Sequence, residues 1–249
     1  CGSCVKLEDA RMPYPRVCAH RGFNTIAPEN SLPAFAKSAE NEMGVELDVQ
    51  PTKDGKIVVF HDLNLKRLCG IDKALSELTF EELSELRLND SEEKIPLFSE
   101  VLEVLGEVPV SCEIKTAGAA FDVDFLEGTY QLLKEYKGDF NVISFNPFVL
   151  EWFKKNHPEV IRGQLSAGNG HIGIGGATEW ALDNLLLNFK SKPDFISYRW
   201  DDKSFGLLLN RLYGTRLCCY TVHSLDEVEK AAYEGFSTFV GENFDITEV

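Results

Sequence analysis

The chain lacks any apolar run approaching the roughly 20 residues that a bilayer-spanning helix needs. It also has no short apolar stretch with the flanks of a secretory signal. Positive charge is scarce: 25 lysines and arginines stand against 40 aspartates and glutamates, a net charge of −15. That balance argues against nucleic acid as a partner and against a resting preference for anionic membrane surfaces. No repeat at a fixed period and no low-complexity tract is visible. The seven cysteines are odd in number and irregularly spaced, which excludes a disulfide framework. Cys18, Cys69, Cys112, Cys218 and Cys219 are scattered, several in strand-like runs where a thiol behaves as a small hydrophobe. Cys1-Gly2-Ser3-Cys4 has the spacing of a zinc or redox half-site, but no matching second pair of ligands follows, so no metal or redox function is expected there. The expected location is the cytoplasm. Because the sequence begins at Cys1, and bacterial lipoproteins are acylated at an N-terminal cysteine, a processed lipoprotein or exported form is the alternative.

What remains is an ordinary globular balance, 44% hydrophobic and 26% charged over 249 residues, a length that suits one α/β barrel. Strand-like segments fall at 16–19, 45–50 with 57–60, 109–115, 140–145, 160–166, 194–199, 216–222 and 236–240. Helical patterns alternate with them near 31–42, 97–105, 122–136, 147–156, 179–189, 203–212 and 224–234. Eight strand units with intervening helices predict an α/β fold, a TIM-type (β/α)8 barrel, forming a single catalytic domain over 1–249. An open doubly wound sheet is the runner-up. Residues 63–95 break the rhythm and read as a small insertion after the second strand, packed over the barrel mouth. Within it Thr79 and Glu82 form a capping-box pattern.

The densest polar stretch runs from Cys18 to Asp62. Val45-Glu46-Leu47-Asp48-Val49-Gln50 alternates apolar and polar, and Ile57-Val58-Val59-Phe60 is a second β-rich run. Asp54-Gly55 between them reads as a two-residue turn. Counting back from that turn puts Asp48 opposite His61, with Glu46 on the same face as Asp48. Taken alone, such alternation describes a half-solvated strand. Its neighbours argue otherwise: Arg16-Val17-Cys18-Ala19 is a short buried strand ending directly in His20-Arg21-Gly22, a poor tripeptide for packing and well placed for a site. Ala27-Pro28-Glu29-Asn30-Ser31 then leads into a helix, with Asn30 or Ser31 as its N-cap and Pro33 in its first turn.

The segments Ala19-His20-Arg21-Gly22, Pro28-Glu29-Asn30-Ser31, Glu46-Leu47-Asp48-Val49, Thr52-Lys53-Asp54-Gly55 and His61-Asp62 resemble, in order and spacing, the glycerophosphodiester phosphodiesterase family. Cys112-Glu113-Ile114-Lys115 is similar to the family's Glu-Ile-Lys strand. Ile143-Ser144-Phe145-Asn146-Pro147 and Tyr220-Thr221-Val222-His223 are similar to later strand ends. The resemblance spans almost the whole chain and is strongest in its first quarter.

That resemblance implies Glu46, Asp48 and Glu113 as ligands of a divalent cation. Oxygen-only donors favour Mg²⁺ or Ca²⁺ over zinc. It implies His20 and His61 as an acid/base pair, since imidazole titrates near neutrality, with Arg21 and Lys115 on the phosphate. Glu29 would hydrogen-bond Arg21 or approach the metal, and a structural role for Glu29 and Asn30 stays open. Taken alone, Glu113 and Lys115 read equally well as an exposed ion pair. Phe145, Trp200 and Tyr220 would line the alcohol pocket, core packing being the other reading. His157, His171 and His223 read as structural.

Three departures stand out. Tyr220 and His223 stand where the family has Trp and Asn, and Val240-Gly241-Glu242-Asn243 replaces a Thr-Asp-x-Pro strand end. All bear on substrate choice more than on catalysis. The implied activity is metal-dependent hydrolysis of glycerophosphodiesters to an alcohol and sn-glycerol 3-phosphate, the partner being a small-molecule phosphodiester. A lysophospholipase D-type enzyme and a non-catalytic binding barrel are the alternatives.

Overall fold

The structure is a computed structural model that describes residues 17–166, 185–201, 208, 212 and 214–244. Two compact units divide it, residues 19–140 and a second unit of 1–18 with 141–249. The expected helix over 203–212, the first part of that over 179–189, His171 and the Cys1–Cys4 pair lie outside the described residues. No helix among the described residues is long and apolar enough to cross a membrane.

In the first unit, strand β1 (Val17–His20) supplies its last two residues, followed by α1 (Leu32–Glu40) and β2 (Gly44–Pro51). Strand β2 pairs in parallel with β4 (Val110–Ile114), in a register that sets Asp48 beside Glu113. It pairs antiparallel with β3 (Ile57–Val59). Val45, Leu47 and Val49 are fully buried, but so are Glu46, Asp48 and Gln50 on the opposite face. The polar face of this strand is therefore interior rather than solvated, which is where a parallel sheet differs from a half-exposed antiparallel one. Helix α1 carries Pro33 in its first turn and buries Ala34 and Phe35. It packs against α4 (Phe98–Leu105), and α5 (Val123–Glu135) is capped by Asp122.

The β2–β3 hairpin corrects the expected register. Val49 faces Val59 and Pro51 faces Ile57, so Phe60, not His61, comes level with Asp48; the Phe60 amide donates to the Asp48 carbonyl at 2.9 Å. The loop has three residues, Lys53-Asp54-Gly55, instead of two. Thr52 closes it, its amide donating to Lys56 O at 2.8 Å and its Oγ1 accepting from Lys56 N at 2.9 Å. Gly55 takes the left-handed φ of +76° that ends such a loop. The side chain of Asp54, engaged by Thr52 Oγ1 and Phe80 N, fixes the longer form. His61 thus sits past the ladder, where Gln50 Nε2 donates to the carbonyls of Phe60, His61 and Asp62.

Residues 63–95 hold α2 (Lys66–Cys69), a 3₁₀ turn at Leu75–Glu77 and α3 (Phe80–Ser84). The Thr79–Glu82 capping box forms as expected. Leu65, Leu68, Leu75, Leu83, Leu88 and Ile95 bury together against Val58 and Phe60. Each such side chain contributes about 1.5–3 kcal/mol relative to exposure, which holds a charged segment in one place.

The second unit carries β5 (Phe140–Ser144) from Asn141 onward, β6 (Arg162–Ser166), β7 (Phe195–Arg199), β8 (Leu217–Val222) and β9 (Thr238–Gly241), each parallel to the next. Helix α6 (Pro147–Asn156) follows β5, capped by Asn146. The short α7 (Asn188–Ser191) precedes β7, and α8 (Leu225–Tyr233) follows β8. Cys18, Ile143, Leu165, Phe195, Cys218 and Val240 form its core. Cys18, Cys112, Cys218 and Cys219 are buried thiols, as their surroundings in the sequence imply.

Candidate active site

Local geometry explains how a short stretch of sequence concentrates so many charges. The β2–β4 register sets Asp48 and Glu113 side by side, and Glu46 projects from the same strand face two residues earlier. One oxygen from each of Glu46, Asp48 and Glu113 lies within 4.8 Å of the others, and all three residues are buried. At the end of β1, Arg21 and Gly22 both take left-handed φ angles, 57° and 79°. The turn is pinned by Arg21 N to Glu46 O at 2.8 Å and Asn30 N to Arg21 O at 2.9 Å. A positive φ is uncommon for residues with a Cβ; here it brings His20 and Arg21 back over β2.

His20 Nε2 lies 3.8 Å from Glu46 Oε2. Arg21 Nη1 donates to Glu29 Oε1 at 2.7 Å, and its Nε lies 3.6 Å from Asp48 Oδ2. Lys115 Nζ sits between two of the acids, 2.7 Å from Glu113 Oε1 and 3.1 Å from Asp48 Oδ1. That pair is buried, so the exposed-ion-pair reading of Glu113 and Lys115 is wrong. Asn30 does not cap α1: its side chain donates to Asp48 Oδ2 at 2.9 Å. Ser31 occupies the cap position, but its hydroxyl donates back to Pro28 O at 2.6 Å. A left-handed Asn30, φ 57°, aims its amide inward instead.

The electrostatics follow from burial and charge spacing. Burial, then the neighbouring Asp48 and Glu113, push the Glu46 carboxyl well above its ordinary range. Burial, with Asp48 beside it, also raises Glu113 against the pull of Lys115. Burial would raise Asp48 too, yet Lys115, His61 and Arg21 together hold it below the usual carboxylate range. Burial is the main cause that lowers His61, and it is resisted by Asp48 and by Asp62, whose Oδ1 lies 2.7 Å from His61 Nδ1. The buried Glu46 Oε2 makes no hydrogen bond, and Asp48 Oδ1 makes none beyond its 3.1 Å ion pair with Lys115. Three clustered acids against one lysine are costly unless a further cation neutralises them. This donor set fits a hard divalent ion.

Arg67 has no place in the sequence reading, and Asp62 and Gln50 appear there only as motif neighbours of His61 and Asp48, without a role. Gln50 continues the polar alternation after Glu46 and Asp48, a signal that was present. Arg67 shows only as one of two basic residues between Leu65 and Leu68. Of the expected pocket aromatics, Phe145 and Tyr220 belong to the second unit and meet edge to face at 6.3 Å, with Tyr220 donating to Ser166 O at 2.9 Å. Trp200 lines a cleft there with Tyr220 and His223. His157 packs on Trp152 at 5.3 Å, a structural role. His223 pairs with Glu227 at 3.3 Å and Glu242 at 3.1 Å, so two departures from the family pattern are partners of each other.

Parallel β/α units with buried acids, histidines and cations gathered at strand ends are the architecture of a TIM-type barrel with its site at the carboxyl face. The solved structures agree on that fold: a phosphodiesterase of Oleispira antarctica, crystallised with the product sn-glycerol 3-phosphate, superposes with a TM-score of 0.75 at 23% identity, over 92% of this chain and 93% of that one. The glycerophosphoryl diester phosphodiesterase family model matches residues 20–168, and the chain belongs to that family. A glycerophosphodiester phosphodiesterase of Caldanaerobacter subterraneus is 36% identical over 160 residues, 60% of this chain and 65% of the relative's length. The human glycerophosphodiester phosphodiesterase 1 is 33% identical over 274 aligned residues, 93% of this chain and 78% of that protein.

Proposed function

We propose that this chain hydrolyses glycerophosphodiesters to an alcohol and sn-glycerol 3-phosphate within a single catalytic barrel domain, with Mg²⁺ or Ca²⁺ held by Glu46, Asp48 and Glu113. The observation that carries this reading is the buried cluster of three acids, in which Glu46 Oε2 makes no hydrogen bond, with His20 at its edge. When bound, the cation supplies charge neutralisation on the phosphoryl oxygens.

The chain's own residues do the rest. Arg21 and Lys115 bind the phosphate, Arg21 as a planar fork held from behind by Glu29. His61 has Nδ1 committed to Asp62, which leaves Nε2 for proton transfer. His20 and His61 divide the proton work. One removes the proton of the attacking hydroxyl as the new P–O bond forms. The other protonates the alcohol oxygen as its P–O bond breaks. Attack by water gives the product directly, whereas attack by the substrate's glycerol gives a cyclic phosphate that a water must then open by the same two proton transfers. Phe145, Trp200 and Tyr220 are assigned to the alcohol side, and the 63–95 insertion to shaping the entrance.

The test is turnover of glycerophosphocholine with Mg²⁺, with Ca²⁺ and with EDTA. Activity with one of the metals and none with EDTA is expected. His20→Ala and His61→Ala should each lower kcat by about 10²–10⁴-fold with unchanged circular dichroism. No turnover with any metal makes the protein a binding barrel. Turnover confined to long-chain lysolipids makes it a lysophospholipase D-type enzyme.

A further inference from the structure

Arg67 joins two groups of the site through a double fork. Its Nε and Nη2 donate to Asp62 Oδ2 and Oδ1 at 2.7 and 3.0 Å. Its Nη1 and Nη2 donate to Glu29 Oε2 and Oε1 at 2.8 and 2.7 Å. Each acid has a second partner in the site: Asp62 Oδ1 meets His61 Nδ1 at 2.7 Å, and Glu29 Oε1 accepts from Arg21 Nη1 at 2.7 Å. One chain of contacts therefore runs His61–Asp62–Arg67–Glu29–Arg21. On the reading that this site cleaves phosphodiesters, we propose that Arg67 is a positioning residue that fixes the orientation of His61 and of Arg21 together.

Three features separate this arrangement from an ordinary surface ion pair, which contributes little. Arg67 is 47% exposed, but Glu29 and Asp62 are only 16% and 23% exposed. The guanidinium uses both edges of its rigid fork, a geometry that an ammonium cannot reproduce. Its backbone is also anchored. Leu65 and Leu68 on either side are buried in the satellite core, and Cys69 N donates to Leu65 O at 2.8 Å. The 63–95 segment thereby acquires a function: its apolar core holds one cation in register with two acids that lie 33 positions apart in sequence. Without that cation, Asp62 and Glu29 turn about their own χ angles, and the imidazole and guanidinium they hold turn with them. Misplacement by about 1 Å is enough to cost on the order of 10²-fold in rate.

The experiment compares kcat and KM for glycerophosphocholine at saturating Mg²⁺ in wild type, Asp62→Asn, Glu29→Gln, Arg67→Lys and Arg67→Ala. Asp62→Asn is expected to lower kcat with little change in KM, and Glu29→Gln to raise KM with a smaller effect on kcat. Arg67→Ala should do both, with kcat/KM down about 10–100-fold. Millimolar guanidinium should recover part of the Arg67→Ala loss, and Arg67→Lys should not restore wild-type rates. A turnover-independent readout is ¹⁵N NMR of the His61 ring. Wild type should show one tautomer with the proton on Nδ1, and Arg67→Ala a mixture. Should wild type show no turnover at all, the proposed activity fails and the ring tautomer alone decides on Arg67. Unchanged kinetics together with an unchanged His61 ring in Arg67→Ala overturns the positioning role, as does a retained single tautomer in an inactive wild type. Arg67→Gln takes the place of Arg67→Ala if the latter does not fold.

Discussion

The charge on each site residue is set by which neighbours it has and by how little water reaches it. Glu46 and Asp48 stand two residues apart on one strand, both buried, yet are pushed in opposite directions. Asp48 has Lys115, Arg21 and the Asn30 amide against it, whereas for Glu46 burial and two other carboxylates prevail. Asp62 makes the same logic testable in stability. Burial opposes its ionisation, but the hydrogen bonds from Arg67, then His61, bring its carboxyl down to about 2. A carboxyl whose folded pKa is depressed stabilises the fold above its unfolded value of about 4, and this contribution disappears as pH falls toward the folded value. The shift is worth roughly 1–2 kcal/mol after allowance for the half-exposed Arg67. Urea midpoints of wild type and Arg67→Ala should therefore differ by a constant amount above about pH 5 and converge between about pH 4 and pH 2. A gap that stays the same across that range removes the Arg67–Asp62 pair as its source.

At the scale of an element, the turn after β1 combines two left-handed residues with close packing on α1. Gly22 has φ +79°, and a Cβ there would lie 2.9 Å from the Ala34 carbonyl carbon of α1. Gly22→Ala is thus expected to cost about 2 kcal/mol or more, with a melting temperature lower by several degrees and reduced activity, because the same turn carries His20 and Arg21. A variant that melts like wild type would show that turn and helix can separate freely. Most elements are legible in the sequence. The helix expected at 147–156 is Pro147–Asn156, and the strand expected at 194–199 is Phe195–Arg199. Apolar periodicity, Pro147 after the Asn146 cap and the Thr79–Glu82 box are local signals, and local signals survive folding. The hairpin register was not readable. Asp54-Gly55 fits a two-residue loop as well as the end of a three-residue one, and the choice lies with Thr52 and with Phe80, which is 26 positions further along. Asn30 departs from the capping expectation for a similar reason: a good capping residue is diverted to Asp48, 18 positions away. The Arg67 bridge is longer still in sequence, 38 positions from Glu29, and no short motif encodes it.

At the scale of the whole chain, the dominant quantity is the net charge of −15, set against the proposed substrate class, which carries a phosphodiester anion. The site answers locally, with Arg21 and Lys115 raised by their acidic neighbours and fully charged at neutral pH. A field of several kT from the rest of the surface still acts on an approaching ligand according to that ligand's net charge. Glycerophosphocholine is zwitterionic and should approach almost unhindered, whereas glycerophosphoglycerol carries an uncompensated negative charge and should be repelled. Salt separates the two, because the screening length falls from about 30 Å at 0.01 M to about 8 Å at 0.15 M. With the metal kept saturating, kcat/KM for glycerophosphoglycerol should rise about 2–5-fold over that range, and that for glycerophosphocholine should change much less. A fall for the anionic substrate would mean that the two site cations govern approach as well as binding. Equal responses of both substrates would trace the effect to the protein itself. Only a rise confined to the anionic substrate assigns the encounter step to the acidic surface, and in that case the chain selects its alcohol by charge before any pocket residue touches it.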